Sequence, residues 1–217
     1  MTKEQVKKLH ELQPLQKKVN RFKREPAYRE TNFDHVHKML DLFAYVVKRF
    51  QIKDVDHDKV TALILSHDLG EVGMPFDVGA FEKANCEKTA EKKAKKEGLT
   101  IMALAAEHGA FLFDLTDEYE EQKTRESTLV KALDRLDAQM RIFGVGIHHE
   151  PTQDKADFAM KNLLSASEIF PEVAELVEQI RQQAKPEFEK KFKWNPEFVT
   201  PNLKKDTATR QPLNRQE

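Results

Sequence analysis

The chain has 217 residues, with 36 Lys and Arg against 37 Asp and Glu, a net charge of -1, 39% hydrophobic residues and only 7 glycines. That length supports one sizeable core and fits a single domain. The balanced charge argues against a broad nucleic-acid-binding or membrane-binding surface, and scarce glycine with 34% charged residues favours charged-surface helices over turn-rich sheet.

Val6, Leu9, Leu12, Leu15, Val19 and Phe22 recur at three- and four-residue steps, a helical stripe interrupted by Pro14. A polar connector over 23–31 contains Pro26, after which Asn32 or Asp34 is expected to cap a second helix. Val36, Met39, Leu40, Phe43, Val46, Val47 and Phe50 give that helix its apolar period. The segment 54–58 (DVDHD) reads as a loop ending in a cap, and 60–69 is apolar enough for a buried central helix closed by Gly70, Gly73 and Pro75.

Residues 82–98 are almost wholly charged, and Glu82, Glu87, Glu91 and Glu97 interleave with lysines. Such a run reads as a solvated helix or a mobile excursion without chemistry. Two helices follow over 99–115 and 125–143, separated by an acidic connector at 116–122. A helical stretch over 158–183 breaks near Pro171. Beyond 185, Phe188, Phe192, Trp194 and Phe198 are expected to pack, and 201–217 to be disordered. The expected architecture is all-α: a single-domain bundle of about six to eight helices over 1–185, with a C-terminal extension over 186–217 that is partly packed to 200.

The single cysteine, Cys86, excludes an internal disulfide and suits a reducing compartment such as the cytoplasm. The first residues hold no apolar stretch of a signal peptide, and no run approaches the roughly 18 apolar residues of a bilayer span.

Four positions stand apart: His35, the adjacent pair His67 and Asp68, and Asp134, each on or at the end of an apolar-periodic helix. Two imidazoles and two carboxylates offer mixed nitrogen and oxygen ligation for one divalent ion of Mn, Co, Fe, Ni, Mg or Zn. Four protein groups leave positions open for water and substrate. His67 and Asp68 close the most apolar helix, in LILSHDLGE, where a buried carboxylate is expensive unless a cation compensates it. Glu71, one turn on, projects near the same face and is placed to orient water or act as general acid/base. Alone, a His-Asp doublet is common by chance; its company with His35 and with LVKALDRLDA makes the metal reading the stronger one.

The order His, His-Asp, Asp resembles the signature of the HD-domain phosphohydrolases, and the surrounding words look like their 5′-deoxynucleotidase branch. That branch has an Asn-Arg-Trp-like element, matched by Asn20-Arg21-Phe22. It also has an (E/T)xxxxH run matched by Glu30 to His35, an HDxxE run matched by His67, Asp68 and Glu71, and a (L/F)VKxxD element matched by 129–134. The resemblance covers about 10–180 and implies that His35, His67, Asp68 and Asp134 hold the metal and that Glu71 handles protons. It further implies that Arg21 binds phosphate and Phe22 packs on sugar or base; a planar guanidinium fork suits phosphate oxygens. In the family a Gly-Asp-x-Pro loop follows HDxxE; here the segment is Gly73-Met-Pro-Phe-Asp77, and Asp77 is the acid left to read a sugar hydroxyl. Arg24, Arg29 and Lys131 are expected to join Arg21 in a cationic rim.

Other groups compete with these. Asp137, one turn beyond Asp134, is the rival carboxylate ligand; His37 falls on a different helical face; His108 would be a fifth ligand, as in di-iron oxygenases that resemble this family, but those need two more histidines in this interval and only His108 is present, which favours a single metal and hydrolysis. The segment 148–150 (HHE) lacks HExxH spacing.

The expected activity is metal-dependent hydrolysis of a nucleotide phosphate ester, nearest to a 5′-deoxynucleotidase. Two alternatives are a nucleoside triphosphate triphosphohydrolase and a non-catalytic HD-domain ligand sensor. The partner expected is a small nucleotide, with neither nucleic acid nor membrane. Relatives are often dimers, and the aromatic tail over 188–198 offers an apolar surface for a second copy.

Overall fold

The computed structural model describes residues 1–19, 21, 30–74 and 80–203 of the chain. Among them are nine α-helices and no strand beyond an isolated bridge at Thr31. Asn20, Phe22, Arg24, Arg29 and Asp77 lie outside the described residues, as does the tail from 204 onward.

Helix α1 (Lys3–Gln16) starts at a capping box in which Thr2 and Gln5 exchange side-chain and backbone hydrogen bonds. The backbone then pairs with the entry of the next helix: Arg21 N–H donates to the Glu30 carbonyl, and Asn32 N–H to that of Val19. This clip fixes Arg21 against the start of α2 (Asn32–Phe50). The cap of α2 is Thr31, one residue before Asn32 and three before Asp34, the two candidates read from sequence, and Asp34 returns the bond as the third helical residue.

Helix α3 (His57–Ser66) is capped by Asp56, whose carboxylate accepts from the backbone of Asp58 and Lys59. Val60, Ala62, Leu63, Ile64 and Leu65 are all buried, because α1, α2, α6 and α7 surround this helix on its several faces. His67 is its C-cap, and a 3₁₀ segment (Leu69–Gly73) follows with Asp68 at its head.

After the short α4 (Ala80–Asn85) comes α5 (Glu87–His108), a single helix that absorbs most of the charged run and the apolar stretch behind it. The helix expected over 99–115 is thereby divided: Gly109, at φ +121°, ends α5, and α6 (Phe111–Glu121) begins afterwards. The expected acidic connector is largely helical, being the second half of α6.

Helix α7 (Arg125–Val145) crosses the core and packs along α8 (Gln153–Ile169). The break near Pro171 is a 3₁₀ turn before α9 (Ala174–Glu189), which runs on past the boundary expected at 185. Phe188, Phe192 and Phe198 are buried in the same core, with Trp194 and Phe198 ring centroids 5.2 Å apart edge to face. No described helix is long and apolar enough to cross a membrane.

Candidate metal centre

Three helices deliver the site. His35 lies in the first turn of α2, one turn after Asn32; His67 and Asp68 sit where α3 passes into the 3₁₀ segment; Lys131, Asp134 and Asp137 succeed one another at three-residue steps along one face of α7. In a 3₁₀ segment residues three apart eclipse, so Glu71 stands over Asp68.

The structure brings three of the four expected ligands together and sets the fourth, Asp68, beside His67. The ligand atoms of His35, His67 and Asp134 all lie within 4.8 Å of one another. His35 Nε2 is 3.3 Å from Asp134 Oδ1, and His67 Nε2 is 3.4 Å from Asp68 Oδ2. Both imidazole nitrogens are buried and lack a well-formed hydrogen bond. A buried polar atom left in that state costs on the order of 1–3 kcal/mol, which a cation ligated there removes. Two nitrogens and two carboxylates in one small volume are a donor set that fits a divalent first-row ion.

The opposite edges of both rings are occupied. His67 Nδ1 lies 2.9 Å from the Ile64 carbonyl, and His35 Nδ1 lies 2.6 Å from Asp137 Oδ2. Each contact points the ring's Nε2 at the shared space and sets the tautomer that leaves a lone pair there. Asp134 and Asp137 are thus divided by position: the first faces Nε2 and the second holds Nδ1. Glu30, also buried, completes a cluster with His35 and Asp137, and Lys38 donates to one of its oxygens.

Charge is balanced locally. Arg21, only 9% exposed, donates from Nη1 to Asp68 Oδ2 at 2.7 Å and places Nη2 3.9 Å from Asp134 Oδ1, spanning both carboxylates. Tyr119 donates to Asp134 Oδ2 at 2.9 Å and accepts from Lys131 at 2.9 Å. Burial and Arg21 push the His35 imidazole towards neutrality, but without a cation the carboxylates of Asp134 and Asp137 outweigh them and raise its pKa to about 9, so that ligation of a cation displaces the Nε2 proton. Burial lowers that of His67. Burial works to raise the pKa of Asp134, yet Lys131 and the two imidazoles hold it well below the usual carboxylate range.

Glu71 is buried beside this centre. Asn32 Nδ2 donates to its Oε2 at 2.9 Å, Lys93 donates to its Oε1, and Lys83 Nζ lies 3.6 Å from the same oxygen. Lys93, from the segment expected to be pure surface, is only 6% exposed. Sequence reasoning missed Lys93, Asn32 and Tyr119. Asn32 alone carried a signal, since it precedes His35 by one turn.

Three other histidines stand apart. His37 is exposed and bonds the Phe33 carbonyl; His108 enters no ligand group among the described residues; His148 faces Glu187 at the surface. Phe22 and Asp77, expected at the substrate, lie outside the described residues.

Residues 15–177 match the family model described as HD domain. The chain is 31% identical over 122 residues to the 5′-deoxynucleotidase HDDC2 of Dictyostelium discoideum, a match covering 52% of this chain and 62% of that protein. It also resembles the crystal structure of a predicted metal-dependent phosphohydrolase from Magnetospirillum magnetotacticum MS-1, with a TM-score of 0.57 and 20% identity over 83% of this chain and 95% of that one. At that identity the likeness concerns the fold.

Proposed function

The chain belongs to the HD-domain family, and from that premise we propose that it is a metal-dependent phosphohydrolase that converts a 5′-(deoxy)nucleoside monophosphate to nucleoside and phosphate. The observation that carries this reading is the convergence of His35, His67 and Asp134 within 4.8 Å, with Asp68 beside His67.

These four residues would hold a divalent cation, which would supply Lewis acidity to lower the pKa of water and neutralise phosphate charge. The chain's own residues supply the rest. Asp137 and the Ile64 carbonyl hold the two imidazoles in the ligating orientation. Arg21, already spanning the two carboxylates, turns its guanidinium fork to the non-bridging phosphate oxygens. Glu71 takes a proton from water; the water oxygen bonds to phosphorus as the bond from phosphorus to the sugar oxygen breaks, and the proton passes to that departing oxygen. The likeness to a 5′-deoxynucleotidase favours a monophosphate substrate.

The test is a screen of nucleoside mono- and triphosphates against several divalent metals, read by the phosphate species released. Orthophosphate from a monophosphate is the expected result. Intact tripolyphosphate from a triphosphate would move the reading to a triphosphohydrolase, and no release from any nucleotide would defeat it.

A further inference from the structure

We propose that Lys93 is a positioning residue for Glu71, so that one lysine of the charged first half of α5 serves the reaction centre while its neighbours face solvent. The inference rests on the role given to Glu71 in the functional reading above.

Lysine is rarely buried unless paired. Lys93 is 6% exposed and lies twelve residues inside the charged run, next to lysines that face solvent. Its ammonium donates to Glu71 Oε1 and lies 3.1 Å from Glu97 Oε1, one turn further along the same helix. Asn32 holds the other Glu71 oxygen from α2. Both oxygens of the Glu71 carboxyl thus accept from N–H donors on two different helices, which fixes the plane of the group as well as its place. A general base must present a particular lone pair to its proton, and a carboxyl free to rotate would do so only part of the time.

The approach of α5 that makes this contact is written into the motif itself. A Cβ added to Gly70 would come within 3.1 Å of Glu97 Cβ, and one added to Gly73 within 2.5 Å of Thr100 Oγ1. The two glycines flanking Glu71 therefore let α5 lie directly on the 3₁₀ segment, and Lys93 reaches the carboxyl from one turn before Glu97. Lys83 of α4 adds a second ammonium at 3.6 Å. Asn32, Lys83, Lys93 and, through Lys93, Glu97 thus enclose Glu71 from three helices. The polar side chains of α1 buried nearby, Gln13 and Gln16, are uncharged and bond the Leu65 carbonyl.

The experiment measures turnover of a 5′-deoxynucleoside monophosphate with manganese by the parent chain, Lys93→Met, Lys93→Arg, Glu71→Gln and the double variant Glu71→Gln/Lys93→Met. In Lys93→Met, kcat is expected to fall roughly tenfold or more while KM stays within about twofold and manganese content is unchanged. Lys93→Arg, which keeps the donor and the charge, should recover most of kcat. In the Glu71→Gln background the Lys93 change should cost nothing further, because it acts through that carboxyl. Lys93→Gln replaces Lys93→Met if the latter does not fold.

Unchanged kcat in Lys93→Met, or an equal further loss in the Glu71→Gln background, overturns the proposal. A parent chain with no turnover defeats the functional reading instead. Urea unfolding of the parent, Lys93→Met, Glu71→Gln and the double variant without metal then reads the pair alone: coupling between Glu71 and Lys93 is expected, and strictly additive effects overturn it.

Discussion

His35 Nδ1 and Asp137 Oδ2 are 2.6 Å apart, both buried, while the other nitrogen of the same ring faces Asp134. One imidazole is therefore gripped by two carboxylates of a single α7 face, one on each ring edge. The ring cannot rotate away from the shared space without breaking the Asp137 contact. Replacing Asp137 by Ala should leave the chain folded and weaken metal binding by roughly 10–100-fold, as loss of such an orienting partner does. Calorimetric titration of the metal-free variant with manganese measures this; an unchanged affinity would show that Asp137 does not hold the ring.

Arg21 spans Asp68 and Asp134. As a phosphate ligand its truncation should raise KM; as a competing cation its truncation should leave metal binding intact or tighter. Arg21→Ala is expected to raise KM for the nucleotide roughly tenfold or more and to keep its full metal content. Steady-state kinetics paired with metal analysis separate this from a collapse of the centre, in which the metal would be lost too.

Acid stability should depend on a group far from the site. Glu178 accepts from Arg181, Gln182 and Thr200, and these bonds, with that from Arg181 largest, hold its pKa at about 2 against an ordinary 4.5. A depressed carboxyl pKa stabilises the folded state above the ordinary value, and that contribution disappears as pH falls from about 4.5 towards about 2. Glu178→Gln should lower Tm at neutral pH and flatten its decline through this window, as followed by thermal unfolding at a series of pH values. A parallel decline in parent and variant would contradict it.

The helical character and the two imidazoles with their carboxylates were legible because they rest on short-range pattern. Apolar residues at three- and four-residue steps predict helices whatever they pack against, and His67 with Asp68 at the end of an all-apolar helix needs a compensating charge wherever the fold places it. Partners chosen by packing were not legible. Lys93 lies among lysines of the same local composition, and only the docking of α5 on Gly70 and Gly73 distinguishes it from its exposed neighbours. Tyr119 sat in what read as an acidic connector, because its contact with Asp134 depends on how α6 folds back on α7. The break of α5 at Gly109 is not legible in the sequence, since the apolar period continues through it. The choice between Asp134 and Asp137 came from resemblance, whereas the geometry gives each its own edge of His35.

The central claim is that side chains from α2, α3 and α7, with Asp68 beside them, hold one divalent ion. Its most direct test is metal content by elemental analysis of the purified chain beside His67→Ala and Asp134→Ala, each checked for helical content by circular dichroism. The account predicts about one divalent ion per parent chain and loss of that ion from both folded variants. Full retention of the ion by either folded variant would contradict it.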